Sequence, residues 1–375
     1  MKTRWLAMIM GLLFLGYLGY PMRDRALHGA NDFAGFYTGA SLIGRGGELY
    51  APEANIRFQN AALGMSAPGL YYIRPPFHAV FLRPLAGLPY QTAYAVFQCL
   101  SLAAFLWFAW RFTKEMPDLW VLCAWSIPVL LSVLEGQDVL LVTAAAAGGV
   151  LHRRAGRPFL AGLFWSLCAA KFHLFLFVPV ALLFRREWRM LGGGAAGGAA
   201  LAVVSFAAAG WSWPLEYARM LADPAIHMAP QLSLNLRGLL FGLTGADHTA
   251  FVIAISVPLA AAVVCTLWRT RDLDTSLGVA LLAGMLLSYH AFVQDGSLLL
   301  LVLVLLRNCT APVRNLAPLA VLPPLYLLTN LGAPYCVALP AYLLVLLGLL
   351  AFTTTRTAAP EVMQNQARNW AVSRI

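Results

Sequence analysis

The stretch FVIAISVPLAAAVVCTLW, from Phe251 to Trp268, decides the fold class because it is uncharged from end to end. Arg269 and Arg271 follow it directly. A helix that crosses a membrane needs roughly 20 predominantly apolar residues. Cationic residues beside such a helix mark its cytoplasmic end. The stretch therefore predicts a transmembrane helix that ends inside the cell.

Apolar runs of this kind recur along the whole chain. Hydrophobic residues make up 60% of the sequence, charged residues only 11%, and the mean hydropathy is +0.71. Soluble domains carry about a quarter charged residues, so the composition excludes a soluble protein. Several runs are shorter than a full span, which indicates tilted or broken helices. The runs lie near residues 5–20, 93–110, 119–134, 139–151, 159–184, 191–209, 251–268, 277–287, 298–306, 316–331 and 337–352.

The positions of the basic residues predict the topology. The net charge is +10, and most Lys and Arg residues fall in short segments between apolar runs. This placement indicates a membrane partner and no nucleic acid. About twelve crossings with both termini inside satisfy the positive-inside rule. Because both flanks of residues 159–184 are rich in Arg, this run is expected to enter and return as two short helices.

We therefore expect an all-α integral membrane protein with a single transmembrane domain, residues 1–375. The first outer loop is predicted at 22–92, the second at 210–250, and a cytoplasmic tail at 353–375. The first helix is expected to remain uncleaved, because no convincing small-residue cleavage site follows it. The cysteines have no metal or disulfide spacing and are predicted to be packing residues; they are Cys99, Cys123, Cys168, Cys265, Cys309 and Cys336.

The first outer loop is too apolar to be a disordered linker and too polar to span the bilayer. Phe33, Phe36 and Tyr37 follow the i, i+3, i+4 spacing, which predicts an amphipathic helix lying in the membrane interface. Asp32 comes at its first turn. A carboxylate there is suited either to chemistry at the outer surface or to capping the helix amides.

Lys171 stands within an otherwise apolar run and is predicted to mark the turn of the two short helices. A cation at membrane depth needs an anionic partner. Two interpretations have about equal weight: Lys171 binds a lipid phosphate, or it snorkels or pairs with a carboxylate such as Glu135 or Asp138.

Two other patterns indicate structure rather than chemistry. The Gly-rich stretch at 192–198 lacks the Lys and the Ser or Thr of a phosphate loop, so it predicts a helix-packing surface. No cluster of His, Asp and Glu in the outer loops has metal-ligand spacing. We therefore expect no obligatory metal.

Several short motifs occur in an order that resembles glycosyltransferase family 87, the polyprenyl-phosphate-mannose-dependent mannosyltransferases of the GT-C superfamily. Each motif is short, and their order and topology carry the resemblance. They are Asp32-Phe-Ala-Gly-Phe-Tyr-Thr-Gly-Ala-Ser, Tyr71-Tyr-Ile-Arg-Pro-Pro, Arg83-Pro-Leu-Ala-Gly-Leu-Pro, Glu135-Gly-Gln-Asp, Ala169-Ala-Lys, Arg185-Arg-Glu-Trp-Arg and Ser288-Tyr-His with Asp295.

The resemblance implies a GT-C-like bundle of about twelve transmembrane helices with interfacial helices in the outer loops. It implies a hexosyltransferase that moves a sugar, mannose in the family's best-known case, from a polyprenyl-phosphate donor. The acceptor would be an envelope lipid or glycan on the outer, periplasmic face of the inner membrane. No cofactor is implied, because the lipid-linked sugar is itself the donor substrate, and the other partners are membrane lipids.

The resemblance also assigns the reaction centre to Asp32. Inverting transfer needs a base that takes the proton of the acceptor hydroxyl, and a carboxylate within hydrogen-bond reach can do so. His290 is a second catalytic candidate, which could assist Asp32 or donate to phosphate or sugar. Its alternative is an interfacial histidine bonded to a loop backbone.

The remaining candidates would bind the substrate. The leaving polyprenyl phosphate needs fixed cations or donors, for which Lys171, Arg74 and Arg237 are available. Gln137 could bind sugar hydroxyls, and Asp295 is a further candidate. Tyr72 could stack on a sugar, although a structural role beside the Pro75-Pro76 pair is favoured.

Two other function classes fit a many-helix protein with a buried Lys. One is a secondary transporter or flippase of a polar or lipid-linked solute. The absence of a visible internal repeat and the long acidic outer loop disfavour it. The other is a noncatalytic subunit of a membrane assembly, which an effect of substituting Asp32 would distinguish.

Overall fold

The computed structural model describes residues 2–45, 49–64, 70–223 and 230–353. These residues form helices joined by short turns and contain no β-strand, only an isolated bridge between Ser233 and Phe292. The all-α fold class is therefore confirmed. Beyond Thr353 the predicted cytoplasmic tail lies outside the described residues.

Six helices among the described residues are long and apolar enough to cross a membrane. The expectation of about twelve crossings is therefore not confirmed. Several apolar runs fold as shorter helices, and the run at 119–134 is divided in two, with Pro128 in the first turn of the second helix. The six candidate spans are Lys2–Leu42, Tyr90–Phe112, Pro158–Phe175, Trp188–Ala209, Thr249–Arg269 and Tyr335–Thr353.

The chain divides into two compact units. The first comprises Met1–Phe172, Trp188–Ala229 and Val293–Leu298. It contains a 3-10 segment at Val293–Leu298 and most of another at Leu167–Phe175. Its helices are α1 (Lys2–Gly19), α2 (Arg23–His28), α3 (Phe33–Leu42), α4 (Pro52–Leu63), α5 (Pro76–Leu82), α6 (Tyr90–Phe112), α7 (Leu119–Ala124), α8 (Ile127–Leu134), α9 (Val139–Arg154), α10 (Pro158–Ser166), α12 (Trp188–Ala209) and α13 (Trp213–Ala222).

The second unit comprises His173–Glu187, Pro230–Phe292 and Leu299–Ile375, of which residues to 353 are described. An apolar cluster of Leu236, Leu240 and Val252 joins its helices α14 and α15. Its helices are α11 (Val178–Phe184), α14 (Leu236–Thr244), α15 (Thr249–Arg269), α16 (Leu273–Leu287), α17 (Leu299–Leu306), α18 (Ala311–Leu316), α19 (Pro323–Asn330) and α20 (Tyr335–Thr353).

Helix α3 forms where the sequence predicts it, but it is not the amphipathic helix with an exposed face that the spacing indicated. Nine of its ten residues are buried, so the helix has no face left for lipid headgroups. Phe33 and Phe36 pack with Tyr94 and Phe97 of α6 in one aromatic cluster. The apolar residues at i, i+3 and i+4 therefore mark only the face of α3 that packs against α6. A second face of α3 is also buried.

The other face of α3 is buried because its glycines admit close neighbours. A Cβ at Gly35 would lie 2.8 Å from the Tyr71 carbonyl oxygen, and one at Gly39 would lie 2.1 Å from the Tyr72 ring. The segment containing Tyr71 and Tyr72 therefore approaches the α3 backbone closely. Such contacts depend on the absence of a side chain, which a hydrophobicity pattern does not show.

The Gly-rich stretch of α12 packs against α10, as predicted. A Cβ at Gly193 would lie 2.0 Å from the Phe159 carbonyl oxygen, and one at Gly162 would lie 2.0 Å from the Met190 carbonyl oxygen. The two backbones are in contact at these positions. Small residues allow this close helix pairing in membranes.

The helical backbone is interrupted at Lys171, where the sequence predicts the turn between two short helices. Helix α10 ends at Ser166, and the following 3-10 segment is interrupted at Lys171, whose φ of −124° and ψ of 47° are not helical. Of the six cysteines, Cys123, Cys168 and Cys336 are buried as expected. Cys99 and Cys265 are exposed, so a packing role within the chain is wrong for these two.

Gly39→Ala tests the contact between α3 and Tyr72. The added methyl group cannot fit against the buried ring, and we expect a loss of roughly 1–3 kcal/mol in unfolding free energy from overpacking. Gly198→Ala in α12 is the matched control, because nothing lies within 4 Å of its Cβ position. That change should be neutral or stabilising by up to about 1 kcal/mol. Thermal unfolding in detergent would measure both, and equal midpoints would contradict the close contact.

Candidate active site

The turn between α8 and α9 is a polar sequence, Glu135-Gly136-Gln137-Asp138, set between two apolar helices. Gly136 has a φ of +60°, which favours glycine. A Cβ at this position would also lie 2.6 Å from the side-chain oxygen of Asn31. The turn therefore has both the conformation and the space to receive the Asn31-Asp32 segment.

Asn31 and Asp32 attach to this turn mainly through their backbone and the Asn31 amide. The Asp32 N–H donates to the Glu135 carbonyl oxygen at 3.0 Å. The Asn31 amide nitrogen donates to the Leu134 carbonyl oxygen at 2.9 Å and to the Tyr94 hydroxyl at 3.1 Å. The position of Asp32 is thereby fixed relative to Gln137 and Asp138, although more than a hundred residues separate them in sequence.

The Asp32 side chain does not cap α3. It precedes Phe33, the first residue of the helix, yet makes no capping hydrogen bond to the helix amides. Its Oδ2 instead accepts a hydrogen bond from Nε2 of Gln137. The capping interpretation is therefore not supported, and the carboxylate belongs to a polar cluster.

Arg74 and Asp138 form the centre of this cluster. The Arg74 Nε and Nη2 donate to the two oxygens of Asp138 at 2.9 and 3.0 Å, and both side chains are almost fully buried. Arg74 stands directly before the Pro75-Pro76 pair at the start of α5. Its guanidinium carbon lies 5.3 Å from the centre of the Phe36 ring on α3. A bidentate pair of this kind fixes both the position and the plane of the guanidinium.

Lys171 joins the same cluster from the break after α10. Its Nζ donates to Asp295 Oδ1 at 2.7 Å and to Gln137 Oε1 at 3.1 Å, and lies 3.5 Å from Asp138 Oδ1. The carboxylate interpretation of Lys171 is thus confirmed for Asp138, with Asp295 as a closer partner. Glu135 pairs elsewhere, with Arg25 of α2 at 2.9 Å.

The cluster holds a near balance of charges away from water. Burial disfavours the charged form of Asp138, but Arg74, Lys171 and the hydrogen bonds from Arg74 and His78 outweigh it and hold the pKa of Asp138 well below its usual range. Asp138 and Asp295 therefore balance Arg74 and Lys171. Asp32 adds a third carboxylate at the edge of this set.

His78 of α5 completes the surroundings of Asp138. Its Nε2 lies 3.4 Å from Asp138 Oδ2, and its ring meets the Phe36 ring edge-on. Burial lowers the pKa of His78, although Asp138 acts in the opposite direction. His78 is therefore neutral at pH 7 and leaves the charge balance unchanged.

Arg237 and His290 lie in the second unit. Arg237 is buried on α14, donates to Asp247 Oδ2 at 2.6 and 2.9 Å, and lies over the Tyr289 ring at 4.6 Å. The His290 ring meets the Tyr289 ring at 5.2 Å. Arg237 and His290 thus each contact Tyr289, and their predicted roles stay predictions.

Tyr72 has the structural role that the sequence favoured. Its side chain is fully buried, and its hydroxyl donates to the Pro75 carbonyl oxygen at 2.7 Å. Its ring packs beside Tyr50. A ring without exposed surface is not available for a sugar to stack on, so the structure does not support the substrate-binding interpretation.

The comparison with known families supports the resemblance seen in the motifs. The model of glycosyltransferase family 87 matches residues 72–294, which is more than half of the chain. The chain belongs to glycosyltransferase family 87. No curated protein and no solved structure gives a significant match. This membership makes the protein a membrane glycosyltransferase and favours that class over the transporter and the noncatalytic subunit.

In this family-87 chain, the sequence predicted most residues of the cluster as site residues, but it did not predict two of them. Asp32, Arg74, Gln137, Lys171 and Asp295 were all predicted. Asp138 was considered only as a partner for Lys171, and His78 was not predicted as a site residue. The position of Asp138 directly after Gln137 was the available signal for the first; no sequence pattern distinguished His78.

No group of three or more His, Cys, Asp or Glu side chains is placed to hold a metal ion in the part of the chain that the structure describes. The carboxylates of the cluster are instead directed at Arg74 and Lys171. The arrangement of these acids is that of an ion-pair network.

Asp138→Asn tests whether this network supports the fold of the family-87 chain. The amide keeps the shape of the carboxylate but removes its charge, leaving Arg74 without its ionic partner. Losing one member of a buried pair costs about 3–5 kcal/mol, so we expect a large fall in the unfolding midpoint in detergent. Asp118→Asn, whose exposed carboxylate lies 2.6 Å from Arg4, should cost less than about 1 kcal/mol. Similar losses in both variants would show that the cluster does not depend on this charge.

Proposed function

We propose that this glycosyltransferase moves a sugar, mannose in the first instance, from a polyprenyl-phosphate donor to an envelope lipid or glycan. The transfer inverts the anomeric centre and uses Asp32 as the general base. It takes place on the outer face of the cytoplasmic membrane, where the positive-inside rule positions residues 22–92. Family membership supports the reaction class; the donor, the acceptor and the side of the membrane are parts of the proposal.

The observation that carries the assignment is the state of the Asp32 carboxylate. It directly precedes α3 but makes no capping hydrogen bond to the helix, and it accepts a hydrogen bond from the amide of Gln137. Its neighbour Asp138 is fully engaged by Arg74, and Asp295 is bonded to Lys171. Of the carboxylates in the cluster, Asp32 is the one that is not part of an ion pair among the described contacts, which suits a proton acceptor.

The chemistry of the proposed step is a single displacement. The acceptor hydroxyl oxygen forms a bond to the anomeric carbon, while the bond from that carbon to the phosphate oxygen breaks. The hydroxyl proton passes to Asp32, and the electron pair of the broken bond leaves with the polyprenyl phosphate. General-base assistance of this kind contributes about 10²–10⁴ to the rate.

The leaving phosphate also needs stabilisation. Arg74 and Lys171 both donate to Oε1 of Gln137, whose other end contacts Asp32. Both cations are thus linked to the proposed base through this single amide. We propose that they provide the positive field for the departing phosphate.

Asp32→Asn tests the base assignment. The amide retains an acceptor for Gln137 but cannot take a proton, so we expect a folded protein with transfer reduced by about 100-fold or more. The assay follows labelled mannose from polyprenyl-phosphate mannose into lipids and glycans of native membranes. Asp24→Asn is the control, since that carboxylate lies on α2 and its side chain is 73% exposed.

Near-normal transfer by Asp32→Asn would refute the base assignment. If the wild-type protein transfers nothing from polyprenyl-phosphate mannose, donors carrying other sugars would test the choice of sugar separately. Mass spectrometry of envelope lipids and glycans, with and without this protein, would then identify the product.

Chelation provides a second test of the mechanism. The step as proposed uses only a carboxylate, an amide and two cationic side chains, so we expect transfer to persist after thorough removal of divalent cations. The measurement is the initial rate in membranes treated with excess EDTA. Loss of activity that only an added divalent cation restores would contradict a metal-independent reaction.

A further inference from the structure

The carboxamide of Gln137 links three charged side chains at the candidate active site. Its Nε2 donates to Oδ2 of Asp32, while its Oε1 accepts from Lys171 Nζ at 3.1 Å and from Arg74 Nη2 at 3.3 Å. The side chain is only 6% exposed. Both ends of the amide are therefore engaged inside the protein, which differs from the sugar-binding role predicted for Gln137.

The chemistry of its neighbours determines which way this amide points. Lys and Arg side chains only donate hydrogen bonds, whereas an ionised carboxylate only accepts them. Rotating the amide by 180° would set its NH2 group against two cations and its carbonyl oxygen against the carboxylate. The orientation with Nε2 on Asp32 is the one that satisfies all three partners.

Backbone hydrogen bonds fix the positions of Gln137 and Asp32, the two partners of the Nε2–Oδ2 hydrogen bond. The Gln137 N–H donates to the Ser132 carbonyl oxygen at 2.9 Å, and the Asp32 N–H donates to Glu135 at 3.0 Å. Both residues are thus anchored to the same turn after α8. A donor fixed in this way can hold one carboxylate oxygen in place without ordering costs during the reaction.

We propose that Gln137 is a positioning residue, which orients Asp32 and couples it to the positive charge of Arg74 and Lys171. This inference rests on the proposed function of Asp32 as the base. With Oδ2 held by the amide, Oδ1 is the oxygen that receives the acceptor proton. The two cations at Oε1 polarise the amide and strengthen its N–H as a donor, which stabilises the ionised form of Asp32.

Other charged groups also act on Asp32 and set the background for a pH test. Arg25 of α2 adds positive charge, and Glu135 of the turn adds negative charge. His78 of α5 packs against the neighbouring Phe36 ring. All of these groups stay in place when only Gln137 is substituted. A change in the pH profile of such a variant therefore measures the effect of the Gln137 amide on Asp32.

Two substitutions of Gln137 have opposite expected effects on the pH profile. Gln137→Leu removes the donor, so kcat should fall roughly tenfold or more and the acidic limb of the pH–kcat profile should move to higher pH. Gln137→Glu keeps the size but sets a carboxylate against Asp32. Because a protonated Glu can donate to Asp32, activity in this variant should recover as the pH falls. KM for polyprenyl-phosphate mannose should change by less than about threefold in Gln137→Leu, since that change leaves the proposed phosphate contacts Arg74 and Lys171 in place.

Gln98→Leu is the matched control. Gln98 is partly buried in the same unit, and its amide donates to the Tyr94 hydroxyl and the Val133 carbonyl oxygen, which are uncharged. Its removal should lower stability without moving either limb of the pH profile. Full-length protein in native membranes is used throughout, with thermal unfolding in detergent as the measure of folding.

The outcomes separate this inference from the proposed function. Near-normal transfer by Asp32→Asn would defeat the proposed function itself. An inactive Asp32→Asn variant, together with Gln137 variants whose pH profiles match wild type, would overturn the positioning role alone. If the leucine variant fails to fold, the glutamate variant decides the question, because recovery of activity on acidification is required of it.

Discussion

The bidentate ion pair between Arg74 and Asp138 is the interaction on which the candidate site depends. It joins Arg74, two residues before α5, to Asp138, the residue before α9, and Lys171, Gln137 and His78 each contact one of its two members. Desolvating such a pair is costly unless geometry and hydrogen bonds compensate. Here each oxygen of Asp138 has a donor from Arg74, so the geometry provides that compensation.

The turn after α8 connects this ion pair to the proposed base. In this turn, the Glu135 carbonyl oxygen accepts the Asp32 N–H. The Gln137 amide bonds both the Asp32 carboxylate and the two cations, and Asp138 pairs with Arg74. Gly136 makes this possible because any side chain there would occupy the space of Asn31. A base positioned by backbone and buried charges needs little reorganisation during a reaction.

The structure does not confirm the number of membrane crossings expected from the sequence. Twelve crossings were counted from apolar runs, yet six helices of sufficient length occur among the described residues. A run of apolar residues shows only that the segment is removed from water. A short helix buried among other helices meets this condition as well as a helix that spans the membrane. Helix α3 is not amphipathic because close contacts at Gly35 and Gly39 bury its second face, which the apolar spacing does not show.

The sequence by itself determined that this is an all-α membrane protein, that the chain breaks at Lys171, and that it belongs with family-87 glycosyltransferases. These properties depend on composition, local spacing and motif order, all of which can be read directly from the amino-acid sequence. Only the tertiary structure decided that Asp32 is held by Gln137 rather than capping α3, and that Lys171 is shared by Asp138 and Asp295. These pairings join residues that are 33 to 124 positions apart in the sequence. Which residue pairs with a buried charge therefore depends on which segments meet in space.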